Sequence, residues 1–410
     1  RPALPVSITT PGGSNIRIDG SQLQWDNWRV HLRVDAREGL VASLVRYDDQ
    51  GTDRSIVYQL SPSEMFVPYM DPDETWAFKA YMDIGEYGFG EFLTTLVPGT
   101  DCPEFSRFLS ATLPNEKGAP VVRRNVVCVF ERPTGDPVWR HGSEAGRANV
   151  ELVARIAPVV GNYDYFIDYV FDRAGNLDVR VGALGIDAVK GVAGDSAYGT
   201  LIGRGLAGIN HDHFISFRVD LDVDGPVNRA VFDQIRPRKL AGTGGRRSLW
   251  QVGTRPVERA GPLREPAASG TLRVESTSRR NALGYATSYQ LYPGHTEASL
   301  LADDDPIQVR AAWSRYPVWL SRHDPGQRYA SGDYPNQSAS GDGLASWTRA
   351  GQDIVNTDLV LWYNIGFRHV PRAEDWPAMP ALWHSFRLRP FNFFDRSPAL
   401  DIPPDRPARP

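Results

Sequence analysis

The chain has 410 residues, 41% of them hydrophobic and 23% charged, with a formal net charge of −4. This is the composition of an ordinary globular protein that can bury a large core, and its weak acidic balance gives no reason to expect nucleic acid or anionic membrane as a partner. No run approaches the ~20 apolar residues of a membrane helix, and Lys79, Lys117, Lys190 and Lys239 are the only lysines open to amine chemistry at a side chain.

Along the chain, apolar and polar residues alternate, and the alternation is broken at roughly 8–12-residue intervals by Gly, Pro, Asn or Asp, the pattern of short antiparallel strands. QLQWDNWRVHLRVDA (22–36) is the first clear case. The two cysteines, Cys102 and Cys128, permit one disulfide. It would close a loop of about 26 residues and contribute on the order of 3 kcal/mol. Two buried free thiols are the alternative. A disulfide would favour an extracellular or periplasmic location. VARIAPVVGNYDYFIDYVF (153–171) runs through the turn signal DRAGN into LDVRVGALGI (177–186), which predicts a long hairpin. Segment 225–280 is rich in Gly, Pro and Arg and reads either as a solvated excursion or as an extended arm toward a partner subunit. DLVLWYNIGFRHV (358–370) and HSFRLRPFNFF (384–394) predict two further strands, and the proline-rich tail 401–410 is expected to lie extended. Helical patterns are scarce. The expected fold is mainly β, a large sandwich with few short helices.

INHDHFISFRVDLDVDG (209–225) carries an unusual density of metal-capable groups. Residues i and i+2 of a strand share a face. His211 and His213 therefore project together, at one end of an apolar stripe continued by Ile215, Phe217, Val219, Leu221 and Val223. Neutral imidazole suits copper, zinc, iron or nickel; a hydrogen-bonded core pair is the other reading. Asp212, Phe214, Ser216, Arg218, Asp220, Asp222 and Asp224 form the opposite face. Asp220 and Asp222 could share a hard cation, but a solvated, Arg-paired polar face fits this spacing better. The pattern leaves both His369 and His384 open as a third ligand.

GNYDYFIDYVF (161–171) resembles the cofactor motif of the copper-containing amine oxidases, in which the first tyrosine is converted to the quinone topaquinone. The resemblance makes Tyr163 that precursor, with Asn162 before it. Other stretches follow in the family's order. YMDIGEYGFG (81–90) resembles the catalytic-base segment and implies Asp83 as base and Tyr81 as gate of the substrate channel. MFVPYMDPD (65–73) implies Tyr69 as hydrogen-bond partner of the quinone. HDHFISFRVDLDVDG and HVPRAEDWPAMP resemble the copper segments and imply His211, His213 and His369 as ligands. Asp220, Leu221, Asp222, Asp358 and Leu359 match a structural calcium site, and Cys102 and Cys128 match a disulfide of part of the family.

The resemblance implies a catalytic β-supersandwich domain over residues 1–400, with extended hairpin arms that include 225–280. It also implies a homodimer, and smaller preceding domains, usual in the family, that this chain does not contain. The implied activity is oxidative deamination of a small primary amine by dioxygen, giving aldehyde, ammonia and hydrogen peroxide, with Cu(II), topaquinone and Ca(II) as cofactors. A carboxylate in a closed apolar pocket is a stronger base near neutral pH, which is the role implied for Asp83. Two competing readings are an inactive binding or adhesion protein on this scaffold and a zinc or iron enzyme built on the histidines.

Overall fold

The alternating stretches become antiparallel strands because each has one apolar face to bury and one to expose, or a cover for both. In Trp28–Asp35, for example, Trp28, Val30 and Leu32 are buried while the residues between them are half-exposed. In the computed structural model, residues 7–10, 12–142, 145–242, 244–264, 270–339 and 341–403 are described. Two large sheets hold most of the strands. The first is ten-stranded and runs Arg17–Asp19, Gln22–Trp25, Trp28–Asp35, Gly39–Asp49, Thr52–Pro68, His211–Leu221, Leu359–His369, Val318–Arg322, Gly261–Pro262, with Ala80–Met82 added beside Thr52–Pro68. The second is eleven-stranded and has Met379–Phe391, Leu177–Gly185, Tyr163–Asp172 and Ala145–Ile156 as successive neighbours.

The sheets face each other over one apolar core. Leu32, Leu60, Ile215, Val219 and Leu361 of the first meet Tyr169, Val179, Val181 and Leu388 of the second. Aromatic rings bridge the layers: Phe217 and Phe386 lie 5.8 Å apart, Trp28 and Phe171 5.1 Å. The fold is thus the mainly β sandwich expected. The predicted hairpin is present as Tyr163–Asp172 paired with Leu177–Gly185. Its turn is held by Asp172, whose Oδ1 accepts from the Ala174 and Asn176 amides at 2.8 and 2.9 Å. The strands predicted at 358–370 and 384–394 are Leu359–His369 and Met379–Phe391.

Two expectations need correction. The polar face of His211–Leu221 is not solvated: all eleven residues are buried. Residues 301–339 and 341–347 fold over that side of the sheet, where Ala311, Trp313 and Leu344 pack with Phe66, Phe214 and Trp362. The buried charges there are paired, Asp212 with Arg368 at 3.0 Å and Arg218 with Asp220 at 3.2 Å, as buried ions must be. Segment 225–280 is also more structured than a solvated excursion. Residues 230–233 and 272–276 are buried sheet, and the exposed part is the far end of the hairpin Asn228–Lys239/Ser248–Val257. From residue 404 onward the proline-rich tail lies outside the described residues.

Candidate metal and cofactor site

The histidine cluster is a product of strand register. His211 and His369 are direct partners across the antiparallel pair His211–Leu221/Leu359–His369, and His213 lies two residues along on the same face. The three rings are buried, with centroids of His211 4.8 Å from His213 and 4.9 Å from His369. One nitrogen of each lies within 4.8 Å of the others. His384 is excluded from this group: it stacks on Phe367 at 4.2 Å, and Phe367 stacks on His213 at 4.7 Å. The structure thus brings His369, not His384, to the pair.

The outer nitrogens fix the tautomers. His211 Nδ1 lies 2.7 Å from the Ile209 carbonyl, which can only accept, so Nδ1 carries the proton and the Nε2 lone pair faces inward. His369 Nε2 lies 3.2 Å from Asp375 Oδ2 and donates to it, which leaves Nδ1 inward. The Arg372 amide in turn donates to Asp375 Oδ2 at 3.1 Å. His213 Nδ1 meets the Tyr165 hydroxyl at 3.0 Å, and its Nε2 is buried without a hydrogen-bond partner. Burial first, and then the neighbouring His369, pushes the His211 imidazole down to about 3. Burial also holds His213 well below the ordinary histidine range, with His211 and His369 adding to it. Both rings are therefore neutral, the form in which imidazole ligates a metal.

Tyr163 reaches this cluster from the opposite sheet. Its register partner is Gly185, at φ +117°, where an added Cβ would come within 2.6 Å of the Asn162 carbonyl. That glycine lets the two strands close tightly behind the tyrosine. The Tyr163 hydroxyl sits 2.8 Å from His211 Nε2, 2.9 Å from His369 Nδ1 and 3.1 Å from Asp187 Oδ1. One hydroxyl proton cannot serve two imidazole lone pairs and a carboxylate. Asp187 Oδ2 and His213 Nε2 have no hydrogen-bond partner at all. Burial, with the nearby Tyr69 and Asp187, drives the Tyr163 phenol far above its ordinary value. A surplus of buried acceptors around one phenol is the environment a bound cation would complete, and three inward-facing imidazole nitrogens fit copper.

The remaining candidates surround this centre. Tyr69 stacks on His211 with centroids 4.5 Å apart, and the Asn162 side chain acts on its hydroxyl against the upward push of burial. Asn162 also donates to the Ile186 carbonyl at 2.6 Å. Asp83 opens a single π-helical turn, Asp83–Tyr87, and is buried. Burial, then Glu64 and Glu86, holds its carboxyl well above the usual range, and its charge acts on Tyr69, Tyr81 and Tyr165. Tyr81 is half-buried and meets the edge of Tyr87, which meets Phe92; both outer rings are exposed. Sequence reasoning missed Tyr165, Asp187, Asp375 and Glu64. Only Tyr165 carried a signal, since it lies two residues after Tyr163 and shares its face.

A second polar group lies beyond the His211–Leu221 strand. Leu221 and Leu359 are register partners, and Asp220, Asp358 and His323 place ligand-capable atoms within 4.8 Å of one another. Asp220 Oδ2 is 2.6 Å from His323 Nδ1, while Oδ1 of Asp220 and of Asp358 are buried without a partner. Burial first, then Asp358 and Asp220, pushes Asp222 up to about 6. His323 was not among the residues expected here. Cys102 and Cys128 are disulfide-bonded, packed with Phe130, Val153 and Val170.

A two-layer antiparallel sandwich with three buried histidines facing a tyrosine defines a candidate metal-binding protein, and comparison with known proteins narrows it. The family described as copper amine oxidase, enzyme domain, matches residues 17–409, and the chain belongs to that family. It is 38% identical to "Amine oxidase [copper-containing] alpha 2, peroxisomal" of Arabidopsis thaliana, over 98% of this chain and 63% of that protein. It is 39% identical to "Primary amine oxidase" of Klebsiella aerogenes, over 97% of this chain and 55% of the other. The chain therefore spans less than two thirds of these relatives. Among solved structures, the copper-containing benzylamine oxidase of Hansenula polymorpha superposes with a TM-score of 0.93 at 29% identity, covering 99% of this chain and 65% of that one. Family membership implies copper and topaquinone. No helix among the described residues is long and apolar enough to cross a membrane.

Proposed function

We propose that the chain is the catalytic unit of a primary-amine oxidase, converting RCH2NH2, O2 and H2O to RCHO, NH3 and H2O2. The observation that carries this reading is the Tyr163 hydroxyl, 2.8 Å from His211 Nε2 and 2.9 Å from His369 Nδ1 within a buried set of acceptors. His211 Nε2, His213 Nε2 and His369 Nδ1 would hold copper, and Tyr163 would be the precursor of topaquinone. Together these groups would supply an electron sink for the amine and a path for electrons to dioxygen.

The side chains around them divide the remaining work. Asp83 accepts the α-proton of the amine. Its burial beside Glu64 and Glu86 makes it a stronger base than an exposed aspartate, and general-base help of this kind is worth ~10²–10⁴ in rate. Tyr69, Asn162 and Asp187 fix the ring at position 163, and Asp375 orients His369 through Nε2. Tyr81, with Tyr87 and Phe92 outside it, lines the approach and keeps water from the proton-transfer step. We assign Asp220, Asp222, Asp358 and the Leu221 and Leu359 carbonyls to a structural calcium site, supported by the two unpartnered buried carboxylate oxygens. The disulfide supports an oxidising compartment. A homodimer completes the reading.

The test is a carbonyl-reagent titration. Metal-free protein is loaded with Cu(II) in air and titrated with phenylhydrazine. We expect an intense visible adduct near one per chain, absent in Tyr163→Phe, and hydrogen peroxide from benzylamine only in the loaded wild type. Copper bound at the histidines without any adduct would indicate a binding protein on this scaffold. Tight zinc or iron with no response to copper would indicate a different metalloenzyme.

A further inference from the structure

Glu64 is a fully buried carboxyl that the proposed reaction does not use. It lies near the inner end of Thr52–Pro68, and its Oε1 accepts from the Met65 amide at 3.0 Å and from the Gly85 amide at 2.9 Å. Gly85 is the third residue of the turn that begins with Asp83. An added Cβ at Gly85 would lie 2.5 Å from Glu64 Oε2 and 2.2 Å from Pro335 Cγ, so a glycine is needed for the turn to sit down on this carboxyl. Oε2 has no hydrogen-bond partner. The nearest cation, Arg37, is 3.7 Å away, and its Nη1 and Nη2 donate instead to the Asp333 and Gly332 carbonyls at 2.7 and 3.0 Å. Glu86, on the same turn, is paired with Arg310 at 2.9 Å and hydrogen-bonds the Met82 amide at 3.1 Å. The other groups facing Asp83 are the phenols of Tyr69, Tyr81, Tyr87 and Tyr165. Glu64 is thus a weakly compensated buried carboxyl that anchors the turn carrying Asp83.

We propose that Glu64 is the positioning residue of Asp83: Oε1 anchors the turn through the Gly85 amide, and the carboxyl couples electrostatically to Asp83, so that the two titrate as a pair. This rests on the reading of Asp83 as the base. Two carboxyls buried at one turn, Asp83 opening it and Glu64 accepting from its third amide, resist double ionisation, so one retains a proton near neutral pH. In keeping with that, burial pushes Glu64 up to about 7 despite Arg37 and the two amides, and Glu64 is the strongest charge acting on Asp83. A lone buried base would titrate in one step; a coupled pair titrates in two.

The test is an infrared titration of the protonated-carboxyl stretch in the metal-free chain, paired with the acid limb of kcat/KM for benzylamine in the copper-loaded chain. Asp83→Asn and Glu64→Gln should each remove one titrating band. In Glu64→Gln the remaining Asp83 midpoint should fall by about one pH unit, the scale at which titrations count as coupled, and the kinetic limb should move the same way. Glu64→Ala, which also loses the Gly85 anchor, should have a lower plateau than Glu64→Gln. Arg37→Gln, which removes the nearby cation, should move the midpoint upward and serves if Glu64→Gln fails to fold. An Asp83 midpoint unmoved in the folded variants overturns the proposal. If Asp83→Asn keeps both turnover and acid limb, the reading of Asp83 as base falls, whatever the infrared data say about the pair.

Discussion

Asp375 lies outside the space between the three histidines, yet its Oδ2 is 3.2 Å from His369 Nε2 and sets which nitrogen faces inward. Without that acceptor, His369 can adopt the other tautomer or rotate, and the cluster loses one of its three lone pairs. His211 has the same control from the Ile209 carbonyl, a backbone group that substitution cannot remove. Asp375 is therefore the side chain through which the ligand geometry can be weakened without touching a ligand. Loss of such an outer partner typically costs ~10–100-fold in metal affinity. We expect Asp375→Ala to weaken copper binding by about that factor in a competition titration against a chelator, with the circular dichroism spectrum unchanged. Equal affinity in the variant would show that strand register alone orients His369.

At the scale of elements, the disulfide joins the loop before Arg107–Pro114 to Pro120–His141, on the face of the second sheet away from the histidines. It closes a 26-residue separation, which by chain entropy contributes roughly 3 kcal/mol. A Cys102→Ser/Cys128→Ser variant should lose about that much stability in chemical denaturation and keep its copper affinity. A loss of copper affinity equal to that of Asp375→Ala would place the bridge in the site's support. Elements of this kind also mark how far the sequence could be read. The period of two put His211 and His213 on one face, and the DRAGN turn between two alternating runs defined the Tyr163 hairpin. The choice between His369 and His384 was beyond pattern, because it depends on which residue of Leu359–His369 pairs with His211 across the sheet. The burial of Asp212, Arg218 and Asp220 was hidden for a related reason. Their cover comes from residues about 90–130 positions away, and a strand with polar residues on one face normally shows that face to water. Asp187, Asp375 and Glu64 looked like ordinary turn or strand acids, since what makes each matter is a contact with a distant segment.

At the scale of the molecule, the open question is what covers the far end of Asn228–Lys239/Ser248–Val257. As far as Gln234 the hairpin is backed by Gly270–Arg280; beyond it, among the described residues, the pairing on that side stops and a two-stranded ribbon continues. Isolated two-stranded ribbons are marginally stable in water. Ile235 pairs with Val252, and Pro237 with Trp250, so all four side chains lie on one face of the ribbon. Ile235 is 46% exposed, Val252 54% and Trp250 66%. A contiguous apolar face on a projecting ribbon marks an interaction surface, and the proposed homodimer would give it a partner. Tryptophan anchors at interfaces commonly contribute 2 kcal/mol or more. Trp250→Glu combined with Val252→Lys should therefore weaken dimerisation by ~30-fold or more, seen in sedimentation velocity as a rise in the monomer fraction at micromolar concentration. The phenylhydrazine titre of each chain should not change, because the histidine cluster and Tyr163 come from one chain. A wild-type protein that sediments as a monomer, or a variant that dimerises as well as wild type, would remove the ribbon from the assembly and leave its apolar face for another partner.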